Sequence, residues 1–177
     1  MEICLLAKNK PDNRIKIAQA GVTKPLISII SFNYPQLQEY GVTAILSFSL
    51  CDGNKEEIAY SGEIKLLVRA LRYAAARENA ACALFRLSQV EENKSAIGRS
   101  RAIPPLVDLL EGSGIRGKKD ACTALYSLYS VRENKVRALQ VGIMRPLVEM
   151  MSDLGSNMVD KATFVFLVKI TKNRVKI

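Results

Sequence analysis

Asparagine recurs along this 177-residue chain at Asn13, Asn54, Asn93 and Asn134, at spacings of 41, 39 and 41 residues. Lysine follows it three times, as Lys55, Lys94 and Lys135. Eight residues after each asparagine stands Gly21, Gly62, Arg101 or Gly142. Matched apolar segments come next: KPLISII from Lys24, KLLVRAL from Lys65, PPLVDLL from Pro104 and RPLVEMM from Arg145. Ten residues before the following asparagine, three units place Ala44, Ala83 or Ala124. Each alanine precedes Ile45, Leu84 or Leu125 and, three residues on, Phe48, Leu87 or Leu128. Marks that recur together at one period constrain the fold more than any composition does. Each unit has too little apolar surface to bury by itself and must stack on neighbours of its own kind.

Within a unit, residues 93–130 read as a short helix, a turn, a second helix, a glycine-rich loop and a longer third helix. Asn93 suits the cap of the first helix, and Glu57, three residues after Asn54, fits a capping box. Pro104 and Pro105 suit the first turn of the second helix, where a missing N–H costs nothing. Leu106, Val107, Leu109 and Leu110 form one apolar stripe. Gly112, Gly114 and Gly117 break the chain before Ala121, Thr123, Ala124, Leu125 and Leu128 start the next. The predicted fold is all-α, a right-handed superhelical solenoid of about four three-helix repeats of the armadillo or HEAT kind. The units are residues 13–53, 54–92, 93–133 and 134–172, with 1–12 a remnant of a preceding repeat and 173–177 a truncated start of another. Two registers, through Val165 or through Thr163, suit the last helix. Neither end has the polar outer face of a capping repeat. Leu147, Val148, Met150 and Met151 are therefore expected to be partly uncovered, with residues from about 155 frayed or self-associating through that end.

Composition narrows the chemistry. Histidine is absent, which removes Ser-His and Cys-His nucleophilic pairs and histidine metal sites. Cys4, Cys51, Cys82 and Cys122 share no close spacing and read as reduced, small core fillers, without a metal or redox role. The run Gly112-Ser-Gly-Ile-Arg-Gly117 has the outline of a phosphate loop but follows a helix, not a strand. No catalysis and no cofactor are expected. No apolar run nears the roughly 20 residues of a membrane span. The opening MEICLLAKNK lacks the features of a signal peptide, so a cytoplasmic or nuclear chain is expected. The net charge of +9 is uneven, with +3 in residues 93–133 and +5 in residues 134–177. A basic solenoid attracts nucleic acid or another acidic partner, and this is the alternative function. Nucleic acid is disfavoured, because no aromatic residues interleave with the basic ones.

The phrases NRIKIAQAGVTKPLI, LQEYGVTAILSFSLCDGNKEEIA, ENAACALFRLSQVEENKSAIGRSRAIPPLVDLL and GSNMVDKATFVF resemble the armadillo region of plant U-box E3 ubiquitin ligases, most of all the U-box domain-containing protein 4-like group. The resemblance extends to about residue 168. It departs at a two-residue-shorter loop near Tyr73 to Arg77, at Arg101 in a glycine slot, and at the end VKITKNRVKI. In such proteins a U-box recruits the E2 and the armadillo array binds a substrate or regulator. The resemblance thus implies the protein-binding half of a ubiquitination enzyme, without ligase activity of its own. It also implies that third helices line a concave groove. The groove candidates are Tyr40, Thr43 and Ser47, then Asn79, Cys82 and Arg86, then Asp120, Thr123 and Ser127. Importin-alpha shares the repeat length, but its third helices carry Trp and, four residues on, Asn. Here those positions hold Thr43, Cys82 and Thr123, then Ser47, Arg86 and Ser127, which argues against nuclear-import cargo.

Overall fold

The computed structural model describes residues 11–32, 34–60 and 62–152, and every regular element among them is helical. The helices are α1 (Pro11–Gln19), α2 (Thr23–Ser31), α3 (Pro35–Phe48), α4 (Asp52–Tyr60), α5 (Glu63–Ala70), α6 (Arg77–Leu87), α7 (Glu91–Arg99), α8 (Ile103–Gly112), α9 (Ile115–Leu128), α10 (Arg132–Gln140) and α11 (Met144–Ser152). They stack by kind. Helix α1 lies on α4 and α7 on α10, α2 on α5 and α8 on α11, while α3, α6 and α9 form a continuous row. The core follows the predicted stripes. Ala44, Ile45 and Phe48, Ala83, Leu84 and Leu87, and Ala124, Leu125 and Leu128 are all at most 2% exposed. Leu106, Val107, Leu109 and Leu110 of α8 are buried beside them. Both prolines, Pro104 and Pro105, sit in the first turn of α8 as expected.

The recurring asparagine does not cap. Asn54, Asn93 and Asn134 are each the third residue of a first helix, and they are buried. Their side-chain amides donate backwards, to the carbonyls of Phe48 (3.3 Å), Leu87 (3.1 Å) and Leu128 (3.3 Å). Those are the last residues of α3, α6 and α9, whose carbonyls have no partner inside their own helices. Asn54 and Asn134 also donate to Arg14 (3.2 Å) and Lys94 (2.9 Å), in the first helix of the preceding repeat. An amide nitrogen with two protons serves both carbonyls. The capping box expected at Glu57 is absent for the same reason, since Asn54 already lies inside α4.

The slot eight residues later is a left-handed backbone position in all four units. Gly21 has φ 76°, Gly62 94° and Gly142 82°, and Arg101 shares the conformation at 63°. An L-residue there is strained, and the exposed Arg101 side chain offers no burial to offset it. Arg101→Gly is expected to stabilise the chain by about 0.5–1 kcal/mol, read as a raised urea midpoint at unchanged slope. The glycine-rich loop is shorter than the sequence suggested. Only Ser113 and Gly114 separate α8 from α9, and Gly117 is buried inside α9. A Cβ there would stand 2.5 Å from Ser113 Oγ and 2.9 Å from Glu78 Oε1, so close packing is why glycine occupies this helical position.

Helix α6 has 11 residues where α3 and α9 have 14, and the shorter connection near Tyr73 to Arg77 is a string of tight turns. At the far end of the described residues, Leu147 and Met150 are buried in the common core rather than uncovered, and α11 packs on α8. Val148, on the other face, is 48% exposed, and Met151 is half-buried. The expectations for residues 1–10, including Cys4, and for the chain beyond Ser152 lie outside the described residues.

Candidate functional site

Helices α3, α6 and α9 pack side by side, each turning its Ala-Leu stripe to the core. The residues one step round the helix therefore lie together on a shared outer face. Eight of the nine groove candidates are half-buried there: Thr43, Ser47, Asn79, Cys82, Arg86, Asp120, Thr123 and Ser127. Tyr40 is 38% exposed. A chain of hydrogen bonds crosses three repeats on this face. Asn79 Nδ2 donates to Thr43 Oγ1 at 3.0 Å, and Arg116 Nη2 donates to Asn79 Oδ1 at 2.8 Å. Further along the same pair of helices, Ser88 Oγ donates to Ser127 Oγ at 2.8 Å. The remaining hydroxyls turn inward. Thr43, Ser47 and Thr123 each donate to the carbonyl four residues before, at 2.8, 2.9 and 2.7 Å.

Charge on this face is grouped. Arg116 Nε lies 3.8 Å from Glu78 and 3.7 Å from Asp120, so one guanidinium serves two carboxylates. Burial pushes the Asp120 carboxyl above its ordinary value, Arg116 opposes the shift and Glu78 adds to it. Burial likewise pushes the Cys82 thiol up, with Asp120 adding and the nearby Arg86 and Arg116 opposing. A thiol held protonated is a poor nucleophile at neutral pH. Among the described residues no group of His, Cys, Asp or Glu is arranged to hold a metal ion. The chemistry available is hydrogen bonding and charge recognition. A concavity of about 370 Å³ on α10, lined by Arg132, Glu133, Val136, Arg137 and Gln140, contains none of the nine candidates.

Sequence reading missed Glu78, Arg116 and Ser88, which join the candidates on this face. The separations carried the signal. Thr43 to Asn79 is 36 residues and Asn79 to Arg116 is 37. The equivalent alanines are 39 and 41 apart, at Ala44, Ala83 and Ala124. Arg116 thus sits about one turn short of the period from Asn79, where a comparison at the period itself passes it by. Ser88 and Ser127 are 39 residues apart, and Ser88 was missed because it lies just past the end of α6.

The Armadillo/beta-catenin-like repeat family matches residues 91–128, the triplet α7 to α9. A computationally designed armadillo repeat protein for modular peptide recognition superposes on 97% of this chain and 72% of its own, with a TM-score of 0.82 at 20% identity. This chain is an armadillo-repeat solenoid. An armadillo repeats only protein from Plasmodium falciparum has a similar fold, covering 96% of this chain and 77% of its own at TM-score 0.84 and 15% identity. Among curated proteins, U-box domain-containing protein 12 of Arabidopsis thaliana is 44% identical over 101 residues, 55% of this armadillo chain and 15% of that protein. U-box domain-containing protein 7 of the same plant is 31% identical over 173 residues, 94% of this chain and 22% of that protein. The armadillo chain thus spans less than a quarter of the length of either relative.

Proposed function

We propose that this armadillo array is a protein-binding module that receives an extended segment of a substrate or regulator along the face of α3, α6 and α9. In this reading it serves the recognition half of a U-box type ubiquitination system, in the cytoplasm or nucleus, with no ligase chemistry of its own. The observation that carries the reading is the polar face shared by three repeats, joined from Thr43 through Asn79 to Arg116. The Asn79 amide and the Arg116 guanidinium keep further hydrogen-bonding capacity beyond these bonds, which an extended backbone can use. The U-box names of the relatives and the peptide-recognition purpose of the designed structure support the same reading.

Affinity purification with wild-type chain and with a Tyr40→Ala, Thr123→Arg double variant tests it. The variant should keep its helical circular dichroism and lose most of the recovered partners. Partners retained in full by the folded variant would refute the groove. In a reconstituted reaction with E1, E2 and ubiquitin, the isolated chain should transfer nothing, and chain formation that depends on it would refute the division of labour. Electrostatic binding to nucleic acid is less well supported, because the 14 residues of α3 contain no Lys or Arg. That alternative would show itself as gel shifts that vanish steeply with salt.

A further inference from the structure

We infer that Arg86 is the specificity-determining residue of this groove, and that it selects partner segments carrying an Asp or Glu side chain. The inference rests on the groove reading above and narrows it to a chemical class. At the position of Arg86, the neighbouring repeats carry Ser47 and Ser127. One long cation therefore stands between two short hydroxyl residues. Those hydroxyls are already committed: Ser47 donates to the Thr43 carbonyl and Ser127 accepts from Ser88.

Arg86 itself is incompletely satisfied. Its Nε is buried and has no hydrogen-bond partner, and its guanidinium carbon lies 5.7 Å from the centre of the Phe85 ring. Among the described residues it makes no ion pair; it interacts with the uncharged Cys82 thiol, while Glu78 and Asp120 pair with Arg116. A guanidinium with part of its hydration removed and no counter-charge is a site where a carboxylate gains more than at an open surface. The residue as a whole is half-buried while Nε is sealed, so the outer end of the fork is what a ligand meets. The alternative anion is a polyphosphate backbone, which needs a row of cations. Besides Arg86 this face holds Arg116, which is already shared between Glu78 and Asp120, and α3 adds no cation. A single carboxylate on an extended protein segment matches that charge.

The test uses 12-residue peptides selected on the wild-type chain from a random library. The selected peptides should share an Asp or Glu, and changing it to Asn or Gln should weaken binding by about tenfold, as for a charge-assisted hydrogen bond. Arg86→Ser, which installs the residue of both neighbouring repeats, should cause a similar loss. It should also leave the acidic and amide peptides bound alike, and Arg86→Lys should restore part of the preference. Peptides that depend on Tyr40 and Thr123 but carry no acidic residue, or whose acid-to-amide change costs the same with Arg86→Ser, would overturn the role of Arg86 and leave the groove standing. Failure to select any peptide, or peptides indifferent to Tyr40→Ala and Thr123→Arg, would overturn both. Arg86-dependent binding of single-stranded DNA in place of peptides would overturn the assignment to a protein segment.

Discussion

Replacing Glu63 by valine is expected to raise stability at pH 8 by about 3 kcal/mol and to flatten its dependence on pH. Glu63 opens α5 and is wholly buried, and neither carboxyl oxygen reaches a hydrogen-bond partner among the described residues. Burial pushes its pKa up from 4.5 to about 7; its own backbone N–H opposes the shift and the charge of Glu57 adds to it. The same slot holds Val22, Ala102 and Ile143 in the other repeats, and Ala102 and Ile143 are fully buried. An acid therefore occupies an apolar position. The folded chain keeps a proton up to about pH 7 that the unfolded chain releases near pH 4.5. The contribution of this group is greatest below pH 4.5 and is lost as pH rises through 7. The wild type should lose stability between pH 5 and 8 relative to Glu63→Val, a gap of about 6–12 °C in Tm at the upper end for a chain of this size. Parallel curves across that range would show that the carboxyl meets water or a cation.

What the sequence disclosed, it disclosed through spacing. The period near 40 fixed the helical units, and the Ala-Leu stripes fixed which side of α3, α6 and α9 is core. The nine candidates then followed onto one face, because position on a helix is set by residue count. Three other readings went astray for physical reasons. Asparagine was read as a cap because capping is a local rule. Its actual partners lie six residues back in another helix and forty back in another repeat. Gly117 was read as a breaker because helical glycine ordinarily costs about 1 kcal/mol. Here the closeness of Ser113 and Glu78 outweighs that cost. Leu147 and Met150 were counted as uncovered because no capping helices were read after them, whereas both are buried in the common core and α11 packs on α8. Glu63 was legible in principle. Aligning the units one residue past each left-handed position sets it beside Val22, Ala102 and Ile143.

Gly98→Ala should destabilise the array by about 2–3 kcal/mol, although helix propensity alone favours alanine by about 1 kcal/mol. Gly98 is buried in α7, and a Cβ on it would fall on the side-chain amide of Asn134 in the next repeat. That amide must then leave its place. It would give up its bonds to the Lys94 carbonyl at 2.9 Å and the Leu128 carbonyl at 3.3 Å. Each bond is worth about 1 kcal/mol, and a buried amide left unpaired costs about 1–3 kcal/mol more. The loss exceeds the gain in propensity, so the sign reverses. A double-mutant cycle isolates the contact. Asn134→Ala alone should cost about 2–3 kcal/mol, for its two amide donations, the carbonyls left behind and the bond its Oδ1 accepts from Arg137 at 3.0 Å. In that background Gly98→Ala should turn stabilising by about 0.5–1 kcal/mol, because the obstacle is gone and only propensity remains. Urea unfolding of the four proteins supplies the numbers. If Gly98→Ala destabilises equally with and without the Asn134 amide, the two repeats are not joined at this contact.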